Sequence, residues 1–448
     1  MAAPARAVAL ETLRRVHTGR ADLASAIERG RTRLADERDR ALAAEIALGT
    51  VRWRAALDHV IAWAGHRGID AFDADVLDIL RLSAYQILHL DRVPASAVVN
   101  DAVTLARRAG HPRAAGAVNA ILRRVSRSRS SLPLPDATDP RAHLSVTWSH
   151  PGWLADRWLE RYGFEAALEW VRFNNTAAPL TLRANALLTT RDDLARALAR
   201  EDVATKPCAY APEGLVVESG SPFGTSPAAE GHFLPQDEAS QLVGAFAALP
   251  PIGRAADLCA APGGKTAQLA AAAGPGGVVV AGDVRSRRVR LLRQTLRAAR
   301  AATAHVVCHD VLGGLPFGAV FDTVLVDVPC SSLGTIRRDP DIRWSRCETD
   351  LAGLADRQLR MLGAAAGGVR AGGVLVYATC SSEPEENESV VDAFLANHPA
   401  FTLEDPRGAG VAPPRGVLAC LDDRGCLRTL PYRHGLEAFF AARLRRRA

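Results

Sequence analysis

Residues 329–332 read PCSS and residues 379–382 read TCSS, each closing an apolar run, FDTVLVDV in the first case and GGVLVYA in the second. Short apolar runs bounded by turn residues are the mark of buried strands, so Cys330 and Cys380 fall at the mouths of two such strands. A free thiol is only a few per cent thiolate near neutral pH, but that anion is strongly nucleophilic and a nearby cation raises its population. One buried cysteine is ordinarily a packing residue, and Cys259 and Cys308, within or beside core runs, are read that way. Two at strand mouths that face one crevice point to chemistry.

A second stretch, DLCAAPGGKT (257–266), follows an apolar strand and opens a helix. Gly263 and Gly264 remove side chains where the chain turns, letting a ligand approach backbone amides at the helix start. A phosphate loop would need G-x-x-x-x-G-K-[ST], and the first glycine is replaced by Cys259. A dinucleotide loop would need G-x-G-x-x-G, which is also missing, yet Asp283 closes the next strand where an acid grips ribose hydroxyls. A nucleoside ligand without pyrophosphate satisfies both facts, and S-adenosyl-L-methionine is one. Asp310 and Asp327 end the following candidate strands, so a series of acids converges on one crevice. Lys265 stands out as the cation of the loop, because the chain has only two lysines, Lys206 and Lys265.

The two thiols suit one reaction in particular. Carbon 5 of cytosine is a poor nucleophile, but adding a thiolate at carbon 6 makes it enamine-like and able to accept a methyl group. The adduct must then lose the carbon 5 proton and expel the thiolate, which provides work for a second group beside the first.

The elements that must position these residues are legible in the periodicities. From Ala5 to about Val125 apolar residues recur at helical spacing, which predicts an all-helical domain of about six helices over residues 1–130. Ser, Pro and Asp then accumulate without period, giving a linker at 131–145, followed by a small α+β module at 146–245. From Arg254 onward β-rich and helical runs alternate, which predicts a mostly parallel sheet with helices on both faces over residues 246–448.

Of the net charge of +6, residues 1–130 carry 21 Arg against 14 Asp plus Glu, or +7, leaving −1 for the rest. A basic excess of this kind suits a polyanion partner, although a solvated arginine-rich surface reads the same way. Eight cysteines without a C-x-x-C pair or zinc spacing argue against a disulfide framework or a structural metal, and fit a reducing cytoplasm. No stretch approaches the roughly 18 apolar residues of a membrane span.

The strings DLCAAPGGKT, DVPCSSLGTIRRDPDIRW (327–344), YATCSSEPEENESVV (377–391) and LPYRHGLEAFFAARL closely resemble the RNA cytosine-5 methyltransferases of the Nop/Sun family. The helical region, in RLSAYQILHLDRVPASAVVNDAVTLARR and AAGAVNAILRRV, resembles the NusB-type RNA-binding domain, and HPGWLADRWLERYG, NNTAAPLTLRAN and FLPQDEASQLV resemble the module preceding the catalytic domain. The resemblance implies a Rossmann-like class I α/β methyltransferase domain behind an all-α NusB-like domain and a small α+β module. It further implies Cys380 as nucleophile and Cys330 as the residue assisting release. Cys259, Ala260, Ala261, Pro262, Gly263, Gly264 and Lys265, with Asp283, Asp310 and Asp327, would bind S-adenosyl-L-methionine, while Asp327 and Lys265 also lie against the target base. The partner implied is RNA, above all 16S rRNA, acted on by a cytoplasmic monomer without metal, membrane or DNA, with the target base out of its stack. Three alternatives remain at this point: a cytosine-5 methyltransferase acting on another RNA such as tRNA, a DNA-type enzyme in which Cys330 attacks, and a non-catalytic RNA-binding factor.

Overall fold

A computed structural model describes residues 3–249, 253–408 and 412–448. The chain forms two compact units, residues 1–177 with 336–348, and residues 178–335 with 349–448.

In the first unit, seven helices of at least nine residues occupy Pro4–Arg127, against about six expected, and two of them, Glu37–Arg52 and Arg54–Gly65, meet at Trp53. Three of them start on a carboxylate cap: Asp22, Asp36 and Asp73 each accept hydrogen bonds from backbone amides of the turn they open. Helix Ala74–His89 is buried continuously from Val76 to Ile87 and forms the centre around which the others pack. Residues 128–139 form neither helix nor strand, and a longer helix, Gly152–Asn174, follows, broken at Gly163, whose φ is +77°. The guanidinium of Arg343 is fully buried and donates to the carbonyls of Arg52 (3.2 Å) and Ser149 (2.8 Å) and to Asn175 Oδ1 (2.9 Å). Trp344 Nε1 donates to the Val51 carbonyl at 2.8 Å. The last part of the string DVPCSSLGTIRRDPDIRW is therefore part of the helical unit's interior.

The second unit opens with a four-stranded antiparallel sheet of β1 (Thr181–Ala184), β2 (Ala204–Pro207), β3 (Gly214–Ser219) and β4 (Phe233–Pro235), ordered β2-β3-β1-β4. Leu182 and Leu215 from this sheet pack against Leu194 and Leu198 of helix Arg191–Ala199.

The larger sheet holds β5 (Arg254–Asp257), β6 (Val278–Asp283), β7 (Ala304–Cys308), β8 (Phe321–Asp327), β9 (Val369–Thr379), β10 (Phe401–Glu404), β11 (Leu427–Arg428) and β12 (Phe440–Arg446). Its order is β10-β12-β9-β8-β5-β6-β7, with β11 beside β12. Strands β5 to β9 pair in parallel, and β12 enters antiparallel to β9. Side chains alternate between two faces, as the strand period demands. Ala255, Leu325 and Val376 face a core shared with helices Gly264–Ala273 and Ser286–Ala298, whereas Ala256, Val324 and Tyr377 face helices Asp350–Ala366 and Glu388–Asn397. The chain winds outward from β5 to β7, then returns to lay β8 on the other side of β5. This reversal makes the crevice at the carboxyl ends of β5 and β8 the place for a ligand.

One expectation is corrected here. Cys308 ends the edge strand β7 and is exposed, so it is not a packing residue.

Candidate active site

The register of β8 on β9 explains why two cysteines far apart in sequence meet. Asp327 pairs with Ala378, and the Val328 amide still donates to the Ala378 carbonyl at 3.0 Å, so both strands end at the same level. The turns that follow carry Cys330 Sγ and Cys380 Sγ to 3.3 Å from one another as free thiols. The Gly334 amide donates to the Cys380 carbonyl at 2.9 Å, drawing the first turn over the end of β9. A Cβ at Gly334 would lie 1.9 Å from the Ala438 carbonyl oxygen, so only glycine permits this approach. Ser332 holds a left-handed φ of +62°, a conformation that non-glycine residues adopt at some strain, and its hydroxyl lies 3.6 Å from Cys380 Sγ.

Beneath the sulfurs is a buried polar network that sequence reasoning missed. The Glu386 carboxylate accepts from the Ser331 amide (2.8 Å), from Gln358 Nε2 (2.8 Å) and from the Ser381 hydroxyl (2.5 Å). Ser331 Oγ and Ser381 Oγ are 3.1 Å apart, and Asn387 Nδ2 donates to the Ser381 carbonyl at 3.0 Å. The serine after each cysteine therefore ties both turns to one fully buried carboxylate. Buried acceptors of this kind are costly when unpaired and rigidify when satisfied. The acidic cluster EPEEN was visible in sequence, but nothing there separates Glu386 from Glu385 as the inward one.

The two thiols differ in environment. Cys330 is 7% exposed, and its thiol is held well above the usual range, first by its contact with Cys380 and next by burial. Cys380 is partly open to solvent.

Across the β5/β8 reversal, Lys265 Nζ at the start of helix Gly264–Ala273 meets Asp327 Oδ2 at 2.7 Å. Burial opposes the ammonium charge, but the Asp327 carboxylate more than offsets it and the Lys265 pKa is raised. The cation foreseen as a thiolate partner is thus engaged by Asp327. A cleft of about 240 Å³ adjoins this pair, lined among others by Gln236, Cys259, Ala260, Ala261, Pro262, Gly264 and Asp327. Gly263, with φ of +116°, starts the helix. Arg183 of β1, fully buried, donates to both the Gly264 carbonyl and Gln236 Oε1 at 2.6 Å, which braces the loop in a way its own motif does not reveal.

A narrow hollow of about 30 Å³ lies on the other side of Cys259, lined by Asp283, His309, Asp310 and Arg357 among others. Asp283 is 4% exposed and meets only Arg288 (3.5 Å) and the amide of Arg285 among the described groups. His309 Nε2 is buried without a hydrogen-bond partner. Burial pushes the Asp257 carboxyl up to about 7, against the hydrogen bond from Thr266. An acid with free acceptor capacity, an orphaned imidazole nitrogen and a glycine turn fit a nucleoside-bearing ligand. The structure thus brings Cys330 to Cys380 and Lys265 to Asp327, with Asp283 and Asp310 together in the second hollow.

A doubly wound sheet with an acid-lined crevice at its reversal point defines a class I methyltransferase fold. Residues 251–445 match a family profile described as 16S rRNA methyltransferase RsmB/F, residues 3–127 the NusB family, and residues 150–223 a ferredoxin-like domain of RsmF/B-like methyltransferases. The chain is 33% identical to a probable ribosomal RNA small subunit methyltransferase B of Bacillus subtilis, covering 92% of this chain and 91% of the relative. It is 35% identical to the ribosomal RNA small subunit methyltransferase B of Pseudomonas putida, over 92% of this chain and 93% of that one. A solved methyltransferase homologue from Pyrococcus horikoshii superposes with a TM-score of 0.57 at 28% identity, over 67% of this chain and 97% of the other. The chain belongs to the RsmB/F family of ribosomal RNA methyltransferases, which use S-adenosyl-L-methionine. No helix among the described residues is long and apolar enough to cross a membrane.

Proposed function

We propose that this protein methylates carbon 5 of a cytosine in 16S rRNA, with Cys380 as nucleophile and Cys330 as the group that assists release. The observation that carries the reading is the 3.3 Å approach of the two sulfurs, with Cys380 the more open. Bound S-adenosyl-L-methionine supplies an electrophilic methyl group on a sulfonium. Cys380, as the thiolate with its proton lost to solvent, adds to carbon 6 of the cytosine, forming the C–S bond and raising electron density at carbon 5, which takes the methyl as the donor's S–CH3 bond breaks and a neutral thioether departs. Asp327, fixed by Lys265, accepts a hydrogen bond from the cytosine amino group. Cys330 then passes its thiol proton to Cys380 Sγ, 3.3 Å away, as the C–S bond breaks with its electron pair returning to that sulfur, and takes up the carbon 5 proton in its place.

Asp283 would hold the ribose hydroxyls, Asp310 the adenine side of the hollow, and the turn from Cys259 to Lys265 the remainder of the methyl donor. Residues 1–130 and 146–245 would hold RNA, while residues 246–448 receive one nucleotide out of its stack. The protein would act as a monomer.

Bisulfite sequencing of 16S rRNA from cells with and without this gene tests the reading. One methylated cytosine lost on deletion, and restored by the wild type but not by Cys380→Ala, supports it; an unchanged methylation pattern overturns it. Restoration by Cys380→Ala but not by Cys330→Ala would reverse the two roles.

A further inference from the structure

Residues 284–309 contain seven arginines, Arg285, Arg287, Arg288, Arg290, Arg293, Arg297 and Arg300, and no Asp or Glu. That segment alone holds +7, more than the whole chain's +6. Its helix, Ser286–Ala298, buries Val289, Leu292 and Leu296 and turns the rest of its surface to solvent. Arg290, Arg293 and Arg297 follow one another on the helix at spacings of three and four residues, forming a ridge about 10 Å long at ~1.5 Å per residue, and Arg300, with a left-handed φ of +53°, lies just past the helix end. All four are exposed, and among the described residues none has a carboxylate within ion-pairing distance. Arg288 does pair, with Asp283.

Beside the ridge lies a cleft of about 560 Å³, lined by Arg293, Arg297, Arg300 and His305 together with Ala302 and Ala304. His305 belongs to β7, the edge strand of the sheet, and is itself exposed. Like charges at this spacing destabilise an isolated helix by a few tenths of a kcal/mol per pair. A polyanion removes that repulsion, and each phosphate neutralised releases a counterion.

We propose that this ridge and the cleft beside it form a binding surface for the sugar-phosphate backbone of the RNA substrate, separate from the crevice that receives the target base. The assignment rests on the reading that the substrate is RNA. Arginine suits this use because its planar fork pairs with phosphate oxygens in a bidentate manner. Contacts to phosphate fix the position and register of the RNA and carry no sequence information directly, so the surface positions the substrate.

The test uses the full-length protein with Arg290, Arg293, Arg297 and Arg300 all replaced by Gln, which removes charge while keeping helix-forming side chains. Affinity for a transcribed 16S rRNA fragment is measured by fluorescence anisotropy over a range of KCl concentrations. The expected result is binding weaker by roughly ten- to a hundredfold near 0.1 M salt, with the slope of log K against log salt flatter by about 3. In turnover assays the KM for RNA rises while kcat at saturating RNA holds. Calorimetric affinity for S-adenosyl-L-methionine and the thermal midpoint should match the wild type; if they do not, the single Arg293→Gln and Arg297→Gln variants are read in the same assay, each expected to flatten the slope by about 1. Unchanged RNA affinity and slope overturn the proposal, as does loss of binding to anionic phosphatidylserine vesicles with RNA binding intact. A wild type that binds the fragment yet methylates no RNA would defeat the proposed activity while leaving the surface standing.

Discussion

The turns 329–332 and 379–382 share three of four residues and follow two strands that pair in parallel, yet their sulfurs differ. Cys330 is sealed in and its thiol is held in the protonated form, while Cys380 opens towards solvent. The serines that follow them share a buried carboxylate, so the turns are fixed by common means and differ in depth. Local sequence set the chemistry of each turn, and the surrounding packing separated a group suited to attack from one suited to carry a proton.

The largest effect expected is that of Cys380→Ala. Loss of a nucleophile lowers turnover by roughly 10⁴-fold or more, and the variant should form no covalent complex with RNA on denaturing gels. Cys330→Ala tests the other half: turnover should fall by roughly 10²- to 10⁴-fold, the range for a proton-transfer group, while a protein–RNA adduct accumulates. An adduct in Cys380→Ala and none in Cys330→Ala would invert the comparison.

Chemical labelling sharpens the difference without mutation. With limiting iodoacetamide at pH 7.5, mass spectrometry should find Cys380 alkylated well before Cys330, since the thiolate reacts and Cys330 is both buried and shifted upward. The same shift has a sign in stability. A thiol raised on folding stays protonated in the folded state while its unfolded counterpart ionises near pH 8.5. The folded state then binds more protons, so stability is fully present below that pH and falls as pH rises above it, by up to about 1.4 kcal/mol per unit for one group. Urea midpoints at pH 7.5 and 9.5 should therefore diverge less in Cys330→Ala than in the wild type. Cys208, Cys259, Cys420 and Cys426 are raised by burial as well, so the slope diminishes without vanishing.

Strand ends were the legible part of this molecule. Apolar runs closed by Asp283, Asp327, Cys330 and Cys380 announced where β6, β8 and β9 finish, because a strand's end is written in its own residues. The partners that cross between elements were not legible. Nothing local marks Glu386 as the acid under both turns, Arg183 as the brace of a loop 81 residues away, or Gly334 as the point of closest approach. Cys308 was misread because β-rich composition does not tell an edge strand from a central one. The basic ridge was hidden by averaging: residues 131–448 carry −1 as a whole, within which residues 284–309 hold +7 against −8 elsewhere.

The carboxylate shared by the two turns offers the finest test of how far they act together. Glu386→Leu stays close in size but removes both acceptor oxygens, leaving the buried Ser331 amide without its partner. A buried group left unsatisfied costs about 1–3 kcal/mol, so the thermal midpoint should drop by several degrees. Ser331→Ala keeps the backbone amide that donates to Glu386 and loses only the hydroxyl, while Ser381→Ala loses both a donor to Glu386 and the acceptor of the Glu383 amide (3.1 Å); the first should cost less, about 0.5–1.5 kcal/mol. Since Ser331 Oγ and Ser381 Oγ are in contact, the double variant should be less destabilised than the sum of the singles, by about 0.5 kcal/mol or more. Strict additivity would mean that the turns are braced independently, and the difference between their cysteines would then have to come from each turn alone.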